Sequence, residues 1–327
     1  MYNLAQFPDE TYEDYFVRLF EHKQEYGLNC EEIADLLNEV KGTHFDSSAF
    51  RKEYAAFNRG RIYERSLSTR DVAERVLVIS DLHVPFELPV ETYSKYAGRV
   101  DTLVINGDLL DHPSISKFIK KYHLNPVEEM IRCRRYIISL IELLGPERVI
   151  VTVGNHDKRF GDYLANKLEN EMQELLPNSA LDLILVDGFN HYDKLNHTKV
   201  WYKPVVDVFP EVEIQYVGSW FVQIGDTIMC HPLAFSGGIM KTSEKAVMWF
   251  RDEGYVFSNL VMAHTHRTGE YMMGNTLMIE SGCCCDTNKL DYVDGRLTTP
   301  QKQGYVYLSY DKDGCMIRDK AVYERLN

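Results

Sequence analysis

The spacing of apolar residues changes character near residue 70. Up to about residue 65, apolar positions recur every three or four residues, which is typical of amphipathic helices. From about Ala73 onward, short apolar runs of strand length alternate with polar loops and helical stretches. A chain of 327 residues is long enough for two domains. We therefore predict a helical module over residues 1–68 and a larger α/β domain over residues 69–327.

The first module is predicted to contain three helices. The periodicity places them at 9–26, at 30–40 and from 48 to about 58. Asn29 and Glu32 have the spacing of a capping pair for the second helix, and Ser47 or Asp46 is expected to cap the third. The second and third helices, joined by a turn at Gly42, resemble a helix-turn-helix.

Basic residues cluster on and after the third predicted helix, at Arg51, Lys52, Arg59, Arg61 and Arg65. Two interpretations of the module follow, binding of DNA or RNA and docking against a protein. The net charge of −13 argues against nucleic-acid binding through a basic coat over the whole chain, but it leaves a local basic patch open.

The second part of the chain is predicted to begin with strands linked by helices. A periodic helix at 128–144 lies between the second and third strand-like runs, as a crossover helix should. A further helix is predicted at 160–176, and residues 178–215 are expected to form an irregular cap or insertion. After residue 276, three runs read as antiparallel strands that close one sheet, at 277–282, 304–310 and 316–324.

Five apolar runs each end in polar residues that can bind metals. They are VLVISDLH at 76–83, TLVINGD at 102–108, VIVTVGNHD at 149–157, TIMCH at 227–231 and LVMAHTH at 260–266. In an open α/β sheet, the carboxyl ends of the strands form the crevice in which ligands bind. The pattern predicts that these polar residues meet at one site.

The residue types in these runs are those of a two-metal site. Asp81 and His83 alternate at one strand end, so both side chains are expected on one face, and Asp108 after Gly107 is placed to bridge two cations. The remaining donors are the Asn155 amide and the imidazoles of His231, His264 and His266. Taken singly, a His at a strand end is more often a core or capping residue, but the joint pattern indicates a metal site.

The series D-L-H, G-D-L-L-D, G-N-H-D, H and A-H-T-H resembles the calcineurin-like metallophosphoesterase superfamily over about residues 73–327. The resemblance implies a four-layer α/β fold, with two mixed sheets between helices. It also implies two divalent ions, with manganese expected and iron, zinc, nickel or cobalt as alternatives. By motif, the first ion would be held by Asp81, His83, Asp108 and His266, and the second by Asp108, Asn155, His231 and His264.

The same resemblance implies the chemistry. A hydroxide held between the ions would attack phosphorus, and His156 would protonate the leaving group. Asp111 either orients His156 or caps its own loop. His112 stands where the family's protein phosphatases carry an Arg, and Asp157 where they carry Glu, which favours a phosphodiesterase or nuclease. The alternatives are a phosphomonoesterase acting on a small metabolite or nucleotide and a non-catalytic metal-binding scaffold.

A finer likeness concerns members common in bacteriophage and prophage genomes, which share GDLLDHPSISKF, GNHDKRF and the Gly-Cys run near residue 282. His112, Arg159 and Arg267 flank the metal motifs and are candidates for contacts with substrate phosphate, the alternative being solvated loop cations.

Cysteines and apolar runs bear on the compartment. Three of the seven cysteines are adjacent, Cys283 to Cys285, and we expect reduced, partly buried thiols rather than a metal site of their own. The chain shows no apolar run of membrane-spanning length and no secretory signal at its N-terminus, so a cytoplasmic protein without a membrane partner is expected.

Overall fold

The structure, a computed structural model, describes residues 4–8, 10–67, 71–117, 120–167, 177, 179–194, 196–233, 236–290 and 301–326, with the side chains of 24, 25 and 58–67 left out. The chain divides into two compact units, Met1–Thr69 and Arg70–Asn327. Within the described residues, no helix combines the length and the apolar character that crossing a membrane requires.

The first unit consists of helices α1 (Tyr12–Glu21), α2 (Lys23–Tyr26), α3 (Cys30–Lys41) and α4 (Ser47–Leu67). The predicted capping pair is confirmed, since Asn29 Oδ1 accepts from the backbone of Glu32 and Glu32 Oε2 accepts from Asn29 N. Asp46 rather than Ser47 caps α4, because its Oδ1 accepts from Ala49 N at 2.7 Å. Such caps satisfy amide groups that the helix itself leaves unpaired.

Two helix predictions for this unit were inexact. The first predicted helix is broken at His22, where the backbone leaves the helical region and α2 begins. The third helix runs to Leu67, well beyond the predicted end at 58. Buried rings and aliphatic side chains such as Phe16, Leu37 and Phe50 form the core of the unit. Arg51 and Lys52 are exposed, whereas the side chains of Arg59, Arg61 and Arg65 lie outside the described part of the chain.

The second unit contains two large sheets and a hairpin. The strands are β1 (Glu74–Ile79), β2 (Thr102–Asn106), β3 (Arg148–Thr152), β4 (Phe189–Asp193), β5 (Thr198–Tyr202), β6 (Glu213–Tyr216), β7 (Phe221–Ile224), β8 (Thr227–Cys230), β9 (Asn259–Met262), β10 (Thr268–Met273), β11 (Thr276–Ser281), β12 (Gly304–Tyr310) and β13 (Val322–Arg325). One sheet has the order β13-β12-β1-β2-β3-β6, the other has β10-β11-β9-β8-β7, and β4 pairs with β5. Both large sheets are mixed, with parallel strands at their centres.

The helices of this unit are α5 (Pro126–Leu144), α6 (Arg159–Ala165) and α7 (Lys241–Asp252), with short helical turns at Ala180–Asp182, Leu183–Asp187 and Val205–Val208. A longer 3₁₀ helix lies at Val90–Tyr96, and single 3₁₀ turns lie at Pro113–Ile115, Thr287–Lys289 and Arg318–Lys320. The predicted crossover helix is confirmed as α5, which Asn125 caps through its side chain. For the helix predicted at 160–176, the described part is α6, and residues 168–176 lie outside the described chain.

Alternation along the central strands explains the layering. Leu77 and Ile79 of β1 pack with helix α5 on one side of the first sheet, while Val76 and Val78 pack against the second sheet on the other. Successive side chains of a strand point to opposite faces, so both faces of β1 are buried. On its far side, the second sheet packs against Val247 and other residues of α7. The predicted four-layer α/β fold, helix, sheet, sheet, helix, is therefore confirmed.

Two regions differ from the expectation. Residues 178–215 were predicted to be irregular, yet they contain β4, β5, part of β6 and short helical turns, and Leu181 and Ile184 are fully buried in the core. The run 277–282 does not close the same sheet as the two later runs. It forms β11 of the second sheet, parallel to β9, whereas β12 and β13 extend the first sheet. Alternation alone does not identify the sheet to which a strand belongs.

Because of the core between the sheets, we expect substitutions at two isoleucines to differ greatly in their effect on the free energy of unfolding. Ile279 is fully buried on β11, whereas Ile239 is 78% exposed. We expect Ile279→Ala to lower the free energy of unfolding by about 2–5 kcal/mol, because it leaves a cavity between the sheets. The matched variant Ile239→Ala should change it by less than about 0.5 kcal/mol. Urea unfolding at equilibrium measures both, and equal losses would contradict the inter-sheet core described above.

Candidate metal centre

The candidate ligands lie in loops that directly follow the central strands of both sheets. β1, β2 and β3 are parallel neighbours, so the loops after them leave the first sheet at the same edge. β8 and β9 are likewise parallel neighbours in the second sheet. The structure therefore brings together residues that are up to 185 positions apart in the chain, as the contact between Asp81 and His266 shows.

The backbone of these loops is unusual, and it corrects one expectation. Asp81 and His83 do not alternate along a strand, because β1 ends at Ile79. Five candidate ligands have left-handed φ values, namely Asp81 (52°), His83 (45°), Asp108 (51°), His264 (73°) and His266 (52°). This region is costly for residues with a Cβ and is found preferentially at functional sites.

Pairing between the loops and two glycines supports this backbone. Asp81 N donates to Gly107 O at 3.1 Å, and His83 N donates to Asp108 O at 3.0 Å. A Cβ on Gly107 would lie 2.5 Å from His231 Nδ1, and one on Gly154 would lie 2.1 Å from Asp108 Oδ1. Glycine is required at both positions because the backbone approaches ligand side chains this closely.

The first ligand group consists of Asp81, His83 and His266, whose ligand atoms lie within 4.8 Å of one another. His266 Nε2 is 3.0 Å from Asp81 Oδ1 and 3.1 Å from His83 Nε2. All three side chains are buried. Imidazole and carboxylate donors this close together can hold a transition-metal ion.

The second group consists of Asp108, His231 and His264. His231 Nε2 lies 3.3 Å from Asp108 Oδ2, which is itself 3.8 Å from His83 Nε2 of the first group. Asp108 therefore stands between the two groups, in the position of a bridging carboxylate. A third group joins Asp108 and His83 with His156.

One further buried atom is suited to bind a cation. Asn155 Oδ1 has no hydrogen-bond partner among the residues that the structure describes. Burying such an atom without a partner costs free energy, and a cation that it coordinates removes that cost. The nitrogen and oxygen donors thus fit two divalent ions of the kind that the sequence predicts.

The pKa values of the buried aspartates and histidines in the cluster are shifted because each charge stabilises the opposite charge beside it. Burial alone would raise the pKa of Asp81, but His231 and His266 bring it down to about 2. Burial would lower the pKa of both imidazoles, yet the neighbouring aspartates raise that of His231 to about 9 and that of His266 to about 10. The carboxylates thus attract positive charge, which protons or metal ions can supply.

The His156 ring lies between the carboxylate of Asp111 and the guanidinium of Arg159. Its Nδ1 is 2.9 Å from Asp111 Oδ1, and its Nε2 is 2.8 Å from Arg159 Nη2. Burial lowers the pKa of His156 to about 4, although Asp108 and Asp111 oppose this shift. Burial would raise the pKa of Asp111, but hydrogen bonds from His156 and His83 hold it well below its usual range. Asp111 thus contacts the predicted acid, while Lys120 Nζ lies 3.4 Å from its other oxygen.

Two of the three predicted phosphate contacts are not available in this structure. His112 has no exposed surface, its Nδ1 lies 3.3 Å from Glu129 Oε2, and its ring stacks on Phe160. Arg267 is 6% exposed and donates to the carbonyls of Gly237 and Gly238. Both side chains therefore support the surrounding loops. Arg159 remains partly exposed beside His156.

Asp157 has a structural role that the sequence interpretation missed. Its carboxylate accepts from Leu109 N at 3.0 Å, Leu110 N at 3.1 Å and Gly154 N at 2.9 Å, and so it ties the loop after β2 to the loop after β3. Burial and the nearby Asp108 raise the pKa of Asp157 to about 6. The only signal in the sequence was its place at the end of the third motif. Gln301 was also missed, and its Oε1 lies 3.0 Å from His266 Nδ1.

The cysteine triplet lies against this centre. Cys283, Cys284 and Cys285 are fully buried rather than partly buried, and all are free thiols. Ligand atoms of Cys283, Cys285 and His266 lie within 4.8 Å of one another. Cys283 Sγ donates to Lys302 O and Cys284 Sγ donates to Gly304 O, each at 3.3 Å, so two of the thiols have backbone partners.

Comparison with known proteins identifies the family of each part of the chain. Residues 74–293 match the model of calcineurin-like phosphoesterases, and residues 1–69 match that of the YonJ N-terminal domain. No curated protein gives a match.

Similar solved structures include a single mutant of Vps29 from Entamoeba histolytica, with a TM-score of 0.35, 14% identity, and coverage of 77% of this chain and 99% of that one. Vacuolar protein sorting 29 from Cryptosporidium parvum has a TM-score of 0.35, 15% identity, and coverage of 79% and 100%. An archaeal phosphodiesterase has a TM-score of 0.34, 16% identity, and coverage of 77% and 99%.

The family match covers most of the chain and includes all five motifs and both ligand groups. The resemblance predicted from the motifs is thereby confirmed. The chain belongs to the calcineurin-like phosphoesterase family and is a metal-dependent phosphoesterase.

Proposed function

We propose that this enzyme is a phosphodiesterase acting on nucleotide or nucleic-acid esters. The observation that carries the diester preference is the state of the cations beside the cluster. Lys120 donates to the Asp111 carboxylate and Arg267 donates to backbone carbonyls, so these two positive charges are already held by protein groups, whereas Arg159 donates to a carbonyl and a neutral imidazole that it can leave. A phosphomonoester carries close to two negative charges near neutral pH, whereas a diester carries one. The site is therefore better matched to the smaller charge.

Two divalent ions would be held as the sequence predicts, with Asp108 shared between them. We propose manganese as the native metal, with iron, zinc, nickel and cobalt as alternatives, because imidazole and carboxylate donors accept all of these ions. When bound, the ions lower the pKa of water and neutralise phosphate charge. Asp81 and Asp108 supply the negative charge that holds them, and their burial keeps competing water away.

We propose that His156 donates the proton to the leaving oxygen and that Asp111 positions its ring. The 2.9 Å contact with Asp111 fixes the Nδ1 side, so Nε2 is the nitrogen free to change partner. Arg159 now donates to Nε2. An incoming phosphate is a stronger acceptor for a guanidinium than a neutral imidazole is. Arg159 would then turn towards the phosphate, and Nε2 would take up a proton from water, which the Asp111 carboxylate at Nδ1 favours, before giving that proton to the leaving ester oxygen.

Two other functions, a phosphomonoesterase and a non-catalytic scaffold, can be distinguished from a phosphodiesterase by experiment. A phosphomonoesterase would use the same ligands, and the difference would lie in residues 178–215 and in cations on the leaving-group side. A non-catalytic scaffold would need no proton donor. The retention of His156 with Asp111 beside both ligand groups argues against such a scaffold.

The test of this function is hydrolysis of bis(p-nitrophenyl) phosphate and of p-nitrophenyl phosphate on one manganese-loaded preparation. We expect kcat/KM to be higher for the diester by roughly tenfold or more, because an uncompensated charge at a buried site costs more than about 1 kcal/mol. A preference for the monoester would overturn the diester proposal in favour of a phosphatase. Hydrolysis of neither ester would favour the scaffold.

Two variants separate the proton donor from the metal ligands. We expect His156→Asn to lower kcat by roughly 10²- to 10⁴-fold without changing the metal content, because only proton transfer is lost. Asp108→Asn should lower the occupancy of at least one metal site, because a neutral amide replaces the shared carboxylate. Elemental analysis beside kinetics measures both. Unchanged turnover in the first variant, or two tightly bound ions in the second, would contradict these roles.

For the N-terminal unit we propose contact with nucleic acid, the alternative being protein docking. The observation in its favour is that helix α4 turns Phe50 into the core while Arg51 and Lys52 next to it are exposed. Charges held outward on one helix are available to phosphates.

We expect the affinity for single- or double-stranded DNA to fall steeply with salt. Arg51→Gln/Lys52→Gln should make the slope of log K against log salt shallower by about 2, since two phosphate contacts are lost. The control is Lys312→Gln/Lys320→Gln, which removes the same charge from exposed positions of the other unit. Titration by fluorescence anisotropy measures the slopes. Equal slopes for the two variants, or no binding at all, would favour protein docking.

A further inference from the structure

A cavity of about 420 Å³ lies beside the loop that follows the candidate ligand His231. Its volume falls within the range of small-molecule sites. Pro232, the residue after His231, forms part of its wall, and so does Trp220. His231 N donates to Trp220 O at 2.7 Å, which fixes this wall to the second ligand group. One backbone hydrogen bond and one peptide bond thus connect this cavity to a residue of the second ligand group.

One face of helix α7 forms the opposite wall. Thr242, Lys245 and Trp249 line the cavity, and their spacing of three and four residues places them on one side of the helix. Val247 and Phe250, on another side, are fully buried against the second sheet. The core thus holds the helix in place, and its cavity face is free to bind a ligand.

The lining is largely aromatic and apolar, yet part of it is open to solvent. Trp249 is 43% exposed and Leu233 is 53% exposed. The Trp220 and Trp249 rings lie 5.2 Å apart between centroids. Exposed apolar surface in a concave site marks a binding surface, and tryptophan rings are platforms on which nucleobases stack. Lys245 adds a positive charge in a chain whose net charge is −13.

We propose that this cavity binds the nucleobase of the ester whose phosphate lies at the metal centre. The inference rests on the proposed phosphodiesterase function and narrows its substrate class to nucleoside-containing diesters. Two features argue for a base rather than an alkyl chain. The cavity offers aromatic rings for stacking and a lysine for a neighbouring phosphate. The Thr242 hydroxyl accepts from Ser236 N at 3.1 Å and so holds the cavity wall together.

The experiment compares three p-nitrophenyl diesters with the same leaving group, in which the other substituent is thymidine (through its 5′ oxygen), methyl or hexyl. We expect the thymidine ester to have the lowest KM. Trp249→Ala should raise the KM of the thymidine ester by roughly tenfold. It should change the KM of the methyl ester by less than about twofold, because only base stacking is lost. Trp249→Phe, which keeps an aromatic ring, should have a KM for the thymidine ester close to that of the unaltered enzyme.

The matched control is Met248→Ala, which alters a side chain on the same helix that is 51% exposed and does not line the cavity. It should leave all three KM values unchanged. An equal rise for the methyl and thymidine esters in Trp249→Ala would mean general disturbance and would overturn the proposal. If the KM of the hexyl ester is as low as that of the thymidine ester, we would conclude that the cavity binds an alkyl chain instead.

A binding measurement keeps this inference separate from the proposed function. Calorimetric titration with thymidine 5′-monophosphate and with inorganic phosphate reports base binding without turnover. Tighter binding of the nucleotide, lost in Trp249→Ala, would support the cavity even if none of the diesters were hydrolysed, and only the phosphodiesterase function would then fail. Equal affinities for nucleotide and phosphate, beside normal hydrolysis of the methyl ester, would overturn the cavity alone.

Discussion

Four carboxylates buried close together are the constraint on which this structure depends. Asp81, Asp108, Asp111 and Asp157 are each at most 2% exposed. An ionised carboxylate that is buried without compensation costs several kcal/mol or more. Backbone amides compensate Asp157, His156 compensates Asp111, and imidazoles compensate the other two until metal ions bind. The site therefore has affinity for cations even before its ligand geometry is considered.

The two-sheet core holds these charges in position. Val78 on β1 and Val261 on β9 belong to one buried cluster between the sheets, so the edges from which the ligand loops emerge are fixed relative to one another. Asn106 Nδ2 also donates to Cys230 O across the sheets at 3.1 Å. With the strand ends fixed, the loops have few paths to the common centre. The left-handed residues are consistent with this restriction, and their strain is offset by packing elsewhere.

The sequence predicted the composition of the site better than its conformation. The five motifs contain every residue that the structure brings together in the two candidate ligand groups, because residue type and position after a strand are local features. The left-handed backbone at Asp81 and His83 was not predicted, because it results from pairing with the loop after β2. Asp157 was missed for a similar reason, since its importance lies in three amide groups, two of them 47 and 48 residues away in sequence. His112 looked available because its burial depends on Glu129 and Phe160.

The predictions of helices and strands also succeeded where the signal is local and failed where it depends on distant contacts. Helix α5 could be predicted because its periodicity and its Asn125 cap are local, whereas the sheet to which β11 belongs depends on contacts with β9. The irregular cap predicted at 178–215 was inexact, since buried residues such as Leu181 make part of this segment core. Composition marked it as irregular because its aromatic residues and prolines do not follow one period.

The proton donor and the tryptophan cavity have different neighbours in this structure. His156 contacts the Asp111 carboxylate and the Arg159 guanidinium, and neither residue lines the cavity. The cavity is connected to the second ligand group instead, because its lining residue Pro232 directly follows His231 and His231 N donates to Trp220 O. Under the proposed function, these two places would therefore contact different parts of the substrate.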